Sequence, residues 1–188
     1  MNSFLIKTFK ISEKEAELFS SCFEKKTLNP GEKFLSYGKK SNEIGFVEEG
    51  LLKCILIEGE KSVIDDFAFA GNFVANYYSF LKNEPSDKDI ICVKKSTLRI
   101  TTREKLAEFD LKNLFTIDLA RIVAEKLFII THEKCKDLRL LNAEERYLKL
   151  LKTNEKITKE IPQYEIASYL NVSPETVSRI RKKIVERY

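Results

Sequence analysis

The most informative part of the chain is residues 156–188, KITKEIPQYEIASYLNVSPETVSRIRKKIVERY. Pro162 suits the first position of a helix, where its missing N–H costs nothing. Ile166 and Leu170 then follow at helical spacing. Asn171 comes next, and asparagine is the non-glycine residue that best tolerates a left-handed turn. These features predict a first short helix that ends in a tight turn.

A second helix is predicted to begin directly after this turn. Ser173 and Pro174 are typical N-cap and first-turn residues, and Val177, Ile180 and Ile184 form one apolar stripe. The opposite face is polar and basic, with the residue types that read a DNA major groove: Glu175, Ser178, Arg179, Lys182 and Lys183. Together the two helices indicate a helix-turn-helix. The alternative is an ordinary helical hairpin with a solvated basic face.

The charge of the chain is uneven along its length. The 188 residues carry a formal net charge of +4. Residues 136–188 hold 12 Lys and Arg against 8 Asp and Glu, whereas residues 1–135 hold 21 of each sign. All the excess positive charge therefore lies with the predicted helix-turn-helix, which favours a polyanionic partner such as DNA.

The cysteine pattern and the apolar segments bear on cofactors and location. The four cysteines, at positions 22, 54, 92 and 135, are far apart and form no CxxC pair. This spacing argues against a local zinc or iron–sulfur motif, so neither metal nor cofactor is predicted. The apolar run at the N-terminus is too short for a signal peptide, and the apolar stretch 114–130 contains four charged residues. A cytoplasmic location without membrane contact is therefore expected.

The first half of the chain, from about Lys25, has the pattern of a β domain. Short runs such as EIGFVEEG, LLKCILIEGE and KSVIDDFAFAG, with two more in DIICVKKSTLRITT, alternate with turns, and all six glycines fall there. Strands broken by glycine turns predict an antiparallel sandwich or barrel. Two short helices are expected around it, one over residues 12–22 with a capping box of Ser12 and Glu15, and one at NYYSFLKN.

The chain is predicted to become helical from Arg103 onward. Residues 111–137 have apolar side chains on two faces. Four of them, spaced by three, four and three as in a coiled-coil seam, are Ala120, Val123, Leu127 and Ile130. Four others are placed to pack on the β domain: Phe115, Leu119, Ile122 and Ile129. Two apolar faces need two partners, so a homodimer is predicted, and a helix buried within its own domain is the alternative. A capping box of Asn142 and Glu145 opens a further helix to about Lys152.

A β-roll, a long helix and a C-terminal helix-turn-helix, in this order, resemble the Crp–Fnr superfamily of bacterial transcription regulators. The most specific match is VSPETVSRI at residues 172–180, which is similar to the recognition-helix pattern of that family. Looser matches are NPGEKF, IGFVEEGLLK (a predicted strand pair) and GNFVANYYSF. The resemblance implies an α+β fold. It comprises a jelly-roll domain of the cyclic-nucleotide-binding type (1–110), a dimerisation helix (111–137) and a helix-turn-helix domain (138–188).

The resemblance also implies roles for residues around the recognition helix. Glu175 is placed to accept a hydrogen bond from cytosine N4, and Arg179 to bind guanine O6 and N7. The implied phosphate contacts are Gln163, Ser173, Thr176, Ser178 and Lys182. Pro174 departs from the family pattern, which often has arginine there. The implied partners are a double-stranded inverted-repeat operator and RNA polymerase. A β-hairpin wing, which relatives have after this point, is expected to be missing after Tyr188.

The resemblance places an effector pocket in the β-roll, and this sequence departs from the family there. Relatives that bind cyclic nucleotides have Gly-Glu before a phosphate-binding helix and Arg-Ser after it. Here Gly71-Asn72 stands at the first place and residues 84–87, Glu-Pro-Ser-Asp, at the second. A buried phosphate without a cationic partner is costly. Loss of cyclic AMP binding is therefore predicted, with Gly71, Asn72 and Ser86 left as weak ligand contacts.

Two rival functions follow from the same residues. The protein could be a small-molecule or cyclic-nucleotide sensor whose ligand controls DNA binding, although the missing arginine counts against it. An enzyme on a cupin-like barrel would need several metal ligands, whereas His132 is the single histidine and lies on the long helix. No catalytic fingerprint is present, so the protein is not predicted to be an enzyme. The preferred prediction is a homodimeric, sequence-specific DNA-binding regulator.

Overall fold

The chain forms two compact units, Met1–Val123 and Ala124–Tyr188. The computed structural model describes residues 1–110, 113, 115–153 and 157–186. Among these described residues, no helix is long and apolar enough to cross a membrane.

The first unit is an antiparallel β domain with helices around it. Its elements are α1 (Asn2–Phe9), α2 (Glu13–Ser20), β1 (Glu24–Leu28), β2 (Lys33–Leu35), β3 (Glu43–Glu58), β4 (Lys61–Phe69), β5 (Phe73–Val74), α3 (Tyr77–Lys82), β6 (Lys88–Thr102) and α4 (Arg103–Asp110), followed by the start of α5 (Phe115–Leu140). The sheet runs in the order β1-β6-β3-β4, with β2 paired to β6 and β5 to β3. The predicted α+β class with an antiparallel β-roll is confirmed.

The predicted strand pair at residues 44–53 is wrong, because both halves belong to the single strand β3. The register against β6 shifts between Val47 and Glu49 and again between Glu49 and Leu51. Gly50, with a φ of 102°, lies at this irregularity. A bulge bends a strand without ending its ladder, so the glycine that reads as a turn is a bend within one strand. The two runs predicted after Asp89 likewise form one strand, β6.

Two apolar clusters hold the first unit together. The roll interior is lined by eleven buried residues: Leu28, Phe34, Leu35, Val47, Leu52, Cys54, Ala68, Val74, Ile90, Cys92 and Leu98. A second cluster joins Leu5, Phe9 and Ala16 to Leu119 of α5, with Ile122 packed against it. Leu119 and Ile122, expected to pack on the β domain, pack against the helices α1 and α2 of the same unit. Ile129, expected on the same face, is 58% exposed.

Helix α1 is an element that the sequence patterns do not predict. It has no side-chain N-cap, and it ends at Lys10 in the left-handed conformation. Its residues Leu5 and Phe9 are buried, so tertiary packing stabilises a helix that carries little local signal. Helix α2, in contrast, has the predicted capping box: Glu15 N–H donates to Ser12 Oγ, and Ser12 N–H donates to the Glu15 carboxylate.

The second unit is helical throughout its described part. After α5 come α6 (Ala143–Thr153), α7 (Ile157–Glu160), α8 (Gln163–Tyr169) and α9 (Pro174–Val185). The predicted capping box at α6 is present, with Asn142 N–H donating to Glu145 at 2.8 Å and Glu145 N–H donating to Asn142 at 3.1 Å. The helix predicted over residues 111–137 is observed as α5, while residues 111, 112 and 114 lie outside the described residues. Pro162 is the N-cap of α8 and not its first residue.

Candidate nucleic-acid interface

Helices α8 and α9 form a helix-turn-helix around a small apolar core. Asn171 adopts a φ of 52°, the left-handed turn expected of it. Ile166 of α8 and Val177 of α9 are fully buried, and Tyr147 of α6, 2% exposed, is buried beneath the same unit. Ser173 caps α9, since its Oγ accepts from Thr176 N–H at 3.3 Å. Because the apolar stripe faces inward, the polar face of α9 is turned outward.

Side-chain hydrogen bonds brace the two helices against each other and against α6. Gln163 Nε2 donates to the carbonyl of Pro174 at 2.9 Å, which joins the start of α8 to the start of α9. Arg146 of α6 donates to the carbonyl of Leu170, at the end of α8, at 3.0 Å. Gln163, predicted as a phosphate contact, therefore has one amide N–H engaged within the protein. The turn is held from both sides, which gives α9 a defined orientation in its own unit.

The outward face of α9 carries the predicted reading residues. Glu175, Ser178, Arg179 and Lys182 are all exposed. Within the described residues, Arg179 has no ion pair or hydrogen bond, so its guanidinium is free to meet a ligand. Lys182 lies 3.9 Å from Glu186 in a solvent-exposed pair that contributes little energy. The arrangement offers a planar bidentate donor and a cation on one helix face.

Glu175 remains an acceptor at neutral pH. A hydrogen bond from its own backbone N–H, followed by one with the Ser173 side chain, lowers the pKa of this carboxyl below its ordinary value. A lowered pKa keeps the carboxylate ionised, and an ionised carboxylate only accepts hydrogen bonds. Glu175 can therefore accept from a base amino group, as predicted for cytosine N4.

One further predicted contact, Thr176, and another residue of the polar face, Lys183, have partners inside the protein. Thr176 is half-buried, and its Oγ1 lies 3.2 Å from Ser173 Oγ. Lys183, which the sequence places on the same polar face, lies 2.5 Å from Glu144 of α6. Sequence periodicity assigns a residue to a helix face, but it does not indicate which neighbouring helix engages that residue.

The predicted dimer seam has its four residues along α5. Val123 is half-buried and packs against the cluster formed by α1 and α2, so part of its side chain is covered by its own chain. Ala120, Leu127 and Ile130 are exposed, the last two at 37% and 51%. Phe128 is 72% exposed beside them and stacks on His132, with the two ring centroids 6.2 Å apart.

The three predicted pocket residues in the β-roll have structural roles. Gly71 has a φ of 92° in the turn after β4. Asn72 Oδ1 accepts from Phe69 N–H at 3.0 Å and closes that turn. Ser86 is 2% exposed, and its hydroxyl donates to the carbonyl of Lys88 at 2.8 Å. The Ser86 hydroxyl also accepts from Asn76 and from Lys88 N–H, so its hydrogen-bonding capacity is filled.

Asn76 is a buried polar residue, bonded to the segment of the predicted pocket, that sequence reasoning missed. It is 2% exposed, and its Oδ1 accepts from Ser79 N–H to cap α3. Its Nδ2 donates to Ser86 Oγ at 2.9 Å and to Asp87 Oδ1 at 2.7 Å. An asparagine directly before a short helix is a recognisable N-cap signal, but its second set of bonds depends on the return of the chain at residues 86–87. The carboxylate of Asp87 thus accepts a hydrogen bond from the Asn76 amide.

Comparison with known proteins bears on the fold. No protein-family model matches the sequence, and no curated protein matches it significantly. Among solved structures, the c-di-GMP-responsive global regulator CLP of Xanthomonas campestris is 17% identical with a TM-score of 0.68, and the match covers 94% of this chain and 93% of that chain. The protein has the fold of the Crp–Fnr regulators. Both units, from the β-roll to the helix-turn-helix, fall within this likeness.

Two further solved structures with the Crp–Fnr fold match nearly as much of the chain. FixK2 of Bradyrhizobium japonicum has a TM-score of 0.69 at 15% identity, covering 88% of this chain and 85% of that chain. The catabolite activator protein of Thermus thermophilus has a TM-score of 0.60 at 19% identity, covering 94% and 85%. The fold predicted from the sequence resemblance is therefore confirmed. Among the described residues, no group of three or more His, Cys, Asp or Glu side chains is arranged to hold a metal ion.

Proposed function

We propose that this protein is a homodimeric, sequence-specific DNA-binding regulator of transcription. The observation that carries the proposal is the exposed face of α9, where Glu175, Arg179 and Lys182 project from a braced helix-turn-helix. The base edges in a DNA major groove present acceptors and donors that such side chains match in pairs.

Each residue on this face has a distinct role in the proposal. Arg179 binds guanine O6 and N7 with two parallel N–H donors, and Glu175, one helical turn earlier, accepts from the amino group of cytosine. Lys182 contacts a phosphate, which adds affinity but reads no sequence. Ser173, Thr176 and Ser178, near the start of the helix, complete the phosphate contacts.

Arg179→Ala is expected to relax specificity at one base pair and to cost about 1–3 kcal/mol there, because it removes a bidentate guanine contact. Lys182→Ala is the matched comparison on the same face. It should weaken binding to all sequences alike and reduce the salt dependence of binding by about one phosphate equivalent. The measurement is selection of binding sites from random duplexes with wild type and each variant, followed by salt titration.

Two outcomes of this selection contradict the proposal. Wild-type protein that enriches no motif is not a sequence-specific DNA-binding protein. Arg179→Ala protein that enriches the wild-type motif with unchanged stringency shows that this arginine reads no base. Glu175→Ala provides an internal check, since it should alter preference at a neighbouring position and leave the Arg179 position intact.

The selected motif should be an inverted repeat. Two helix-turn-helix units related by a two-fold axis meet successive major grooves on one side of the duplex, with half-site centres about 10–10.5 base pairs apart. The exposed apolar residues Leu127 and Ile130 of α5 support the dimer that this geometry needs, because burying them requires a partner surface. RNA polymerase is a further proposed partner, following from the regulatory role.

The proposed regulator does not bind cyclic AMP in the pocket of the β-roll. Asn72 stands where the resemblance implies a glutamate, and the 84–87 segment supplies the Asp87 carboxylate in place of a cation. The Asn76 amide is already bonded to that carboxylate at 2.7 Å, and the Ser86 hydroxyl is engaged as well. A phosphate entering here would meet a negative charge and occupied donors.

Calorimetric titration of the purified protein with cyclic AMP and cyclic GMP is expected to give no heat of binding. The physical reason is the uncompensated cost of burying a phosphate beside Asp87. A dissociation constant of about 1 μM, equivalent to roughly 8 kcal/mol of binding free energy, would show that the pocket is intact and that the rival sensor function is correct.

A further inference from the structure

Pro174 is an exposed residue of the helix-turn-helix to which the contacts proposed above assign no role. It is the first residue of α9 and directly follows the N-cap Ser173. Ser178 lies four residues later and is also exposed, so the two side chains are neighbours on one flank of the helix. The N-terminal residues of a recognition helix are the ones that contact base edges. Pro174 is therefore placed where a side chain of α9 would meet the floor of a major groove.

The Pro174 ring is held in a fixed position before any ligand binds. The pyrrolidine ring locks its own φ, and at the first position of a helix the missing N–H breaks no hydrogen bond. The Pro174 carbonyl accepts a hydrogen bond from Gln163 Nε2 at 2.9 Å, which ties this residue to the start of α8. On its other side, the N-cap bond from Thr176 N–H to Ser173 Oγ is 3.3 Å long. Burying the ring against DNA therefore costs almost no side-chain entropy.

The Pro174 ring has no hydrogen-bond donor or acceptor, so it can read a base only through an apolar contact. In the major groove, the C5-methyl of thymine is the apolar group that a base edge presents. The other groups on the base edges are hydrogen-bond acceptors and donors. An apolar ring placed over them would remove their water without replacing its hydrogen bonds, which is unfavourable. The ring therefore favours a base pair that carries a thymine methyl group.

Glu175, the next residue, indicates which base pair carries this thymine. The cytosine that Glu175 is proposed to read belongs to a C·G pair, which has no methyl group in the major groove. A thymine methyl against Pro174 must therefore lie on a different base pair. Consecutive Cα atoms are about 3.8 Å apart and stacked base pairs about 3.4 Å apart, so the thymine is expected on the adjacent pair.

We propose that Pro174 is a specificity-determining residue that reads the C5-methyl of a thymine in each half-site, on the base pair beside the one that Glu175 reads. The proposal rests on the proposed DNA-binding function, and it adds to that function a base contact that involves no hydrogen bond. Each half-site is thus read by three kinds of contact: an apolar ring from Pro174, an acceptor from Glu175 and a paired donor from Arg179.

The test uses the binding site that the wild-type protein selects from random duplexes. Each thymine of that site is replaced in turn, in both half-sites, by deoxyuridine, which pairs with adenine in the same way and lacks only the C5-methyl. Dissociation constants are measured by competition fluorescence anisotropy at one salt concentration. The thymine beside the Glu175 base pair is expected to respond, with binding about fourfold weaker per half-site, the ratio expected for one buried methyl group.

Variants assign the methyl contact to a residue. Pro174→Gly removes the ring and is expected to abolish the difference between thymine and deoxyuridine. The readout is the ratio of two dissociation constants of the same variant, so a lower overall affinity from a weaker helix start cancels. Pro174→Ala keeps one apolar carbon and should keep part of the difference. The matched control is Pro162→Gly, which removes an exposed proline at the start of α8 and should leave the ratio at about fourfold.

Two results overturn this inference alone. One is a selected site in which no thymine responds to the loss of its methyl group, and the other is a Pro174→Gly protein that keeps the full ratio. Both leave the selected motif and its dependence on Arg179 intact, so the proposed function stands. A wild-type protein that enriches no motif overturns the proposed function and this inference together.

Discussion

Leu127→Asp is expected to convert the proposed dimer into a folded monomer. Leu127 is 37% exposed on α5, and its neighbours Phe128 and Ile130 are 72% and 51% exposed, so this part of the helix has an exposed apolar surface that the proposed dimer would bury. A carboxylate placed in that surface would have to be desolvated without a partner charge, at a cost of several kcal/mol. Because the residue is not in the core of its own chain, the monomer should keep its fold.

Sedimentation equilibrium and light scattering measure the oligomeric state directly. Affinity for the inverted-repeat site should fall by about 10²–10⁴, since two half-sites no longer bind as one ligand. The control is Glu125→Gln, an exposed substitution that also changes the charge by one unit but lies at a heptad position opposite the seam. A Leu127→Asp protein that remains a dimer of wild-type stability excludes this helix as the main interface. Val123→Asp is a poorer test, because Val123 packs against the core of its own chain.

Gly50→Ala is expected to have the largest effect on stability. Gly50 lies at the bulge of β3 with a φ of 102°, and a Cβ built there would come within 2.2 Å of Ser96 Oγ, 2.6 Å of Ser96 Cα and 2.7 Å of the Lys95 carbonyl oxygen. Two of these three atoms belong to the backbone of β6, which cannot move without breaking the β3–β6 ladder. The strained φ and the overlap together should cost more than about 4 kcal/mol.

Gly59→Ala separates the cost of the positive φ from the cost of the steric overlap. Gly59 also has a positive φ, of 59°, but a Cβ there would meet no atom within 4 Å. Gly59→Ala should therefore lower the free energy of unfolding by only about 1–2 kcal/mol, the cost of placing an alanine in the left-handed conformation. Chemical denaturation followed by circular dichroism gives both values. Similar decreases in the free energy of unfolding for the two variants would mean that the overlap with Ser96 does not destabilise the protein. The close approach of β3 and β6 at Gly50 would then be contradicted.

The helix-turn-helix could be predicted almost to the residue because its signals are local. Ser173 caps α9, Asn171 takes the left-handed turn, and Val177 is buried, all as expected from the sequence. The cap and the turn each depend on groups within four residues of one another, so local backbone geometry and propensity are enough to predict them. The side chains that face outward on α9 follow from the same periodicity.

The partners of those side chains could not be predicted, because they come from distant parts of the chain. Gln163 is bonded to the Pro174 carbonyl, and Lys183 to Glu144. Arg179 and Lys183 are alike in type and in periodicity, yet within the described residues one is free and the other is held. Only the packing of α6 beside α9 distinguishes them.

Local signals suffice to predict the class of the β domain, the long helix and the helix-turn-helix, since periodicity, caps and turn residues act over a few residues. Only contacts between distant residues show that Gly50 bends a continuous strand, that Asn76 bonds to Ser86 and Asp87, and that Ser41 is buried. The physical reason is that each of these depends on atoms brought together by chain closure over ten or more residues. These contacts depend on the packing of the whole domain, and no periodic pattern in the sequence predicts them.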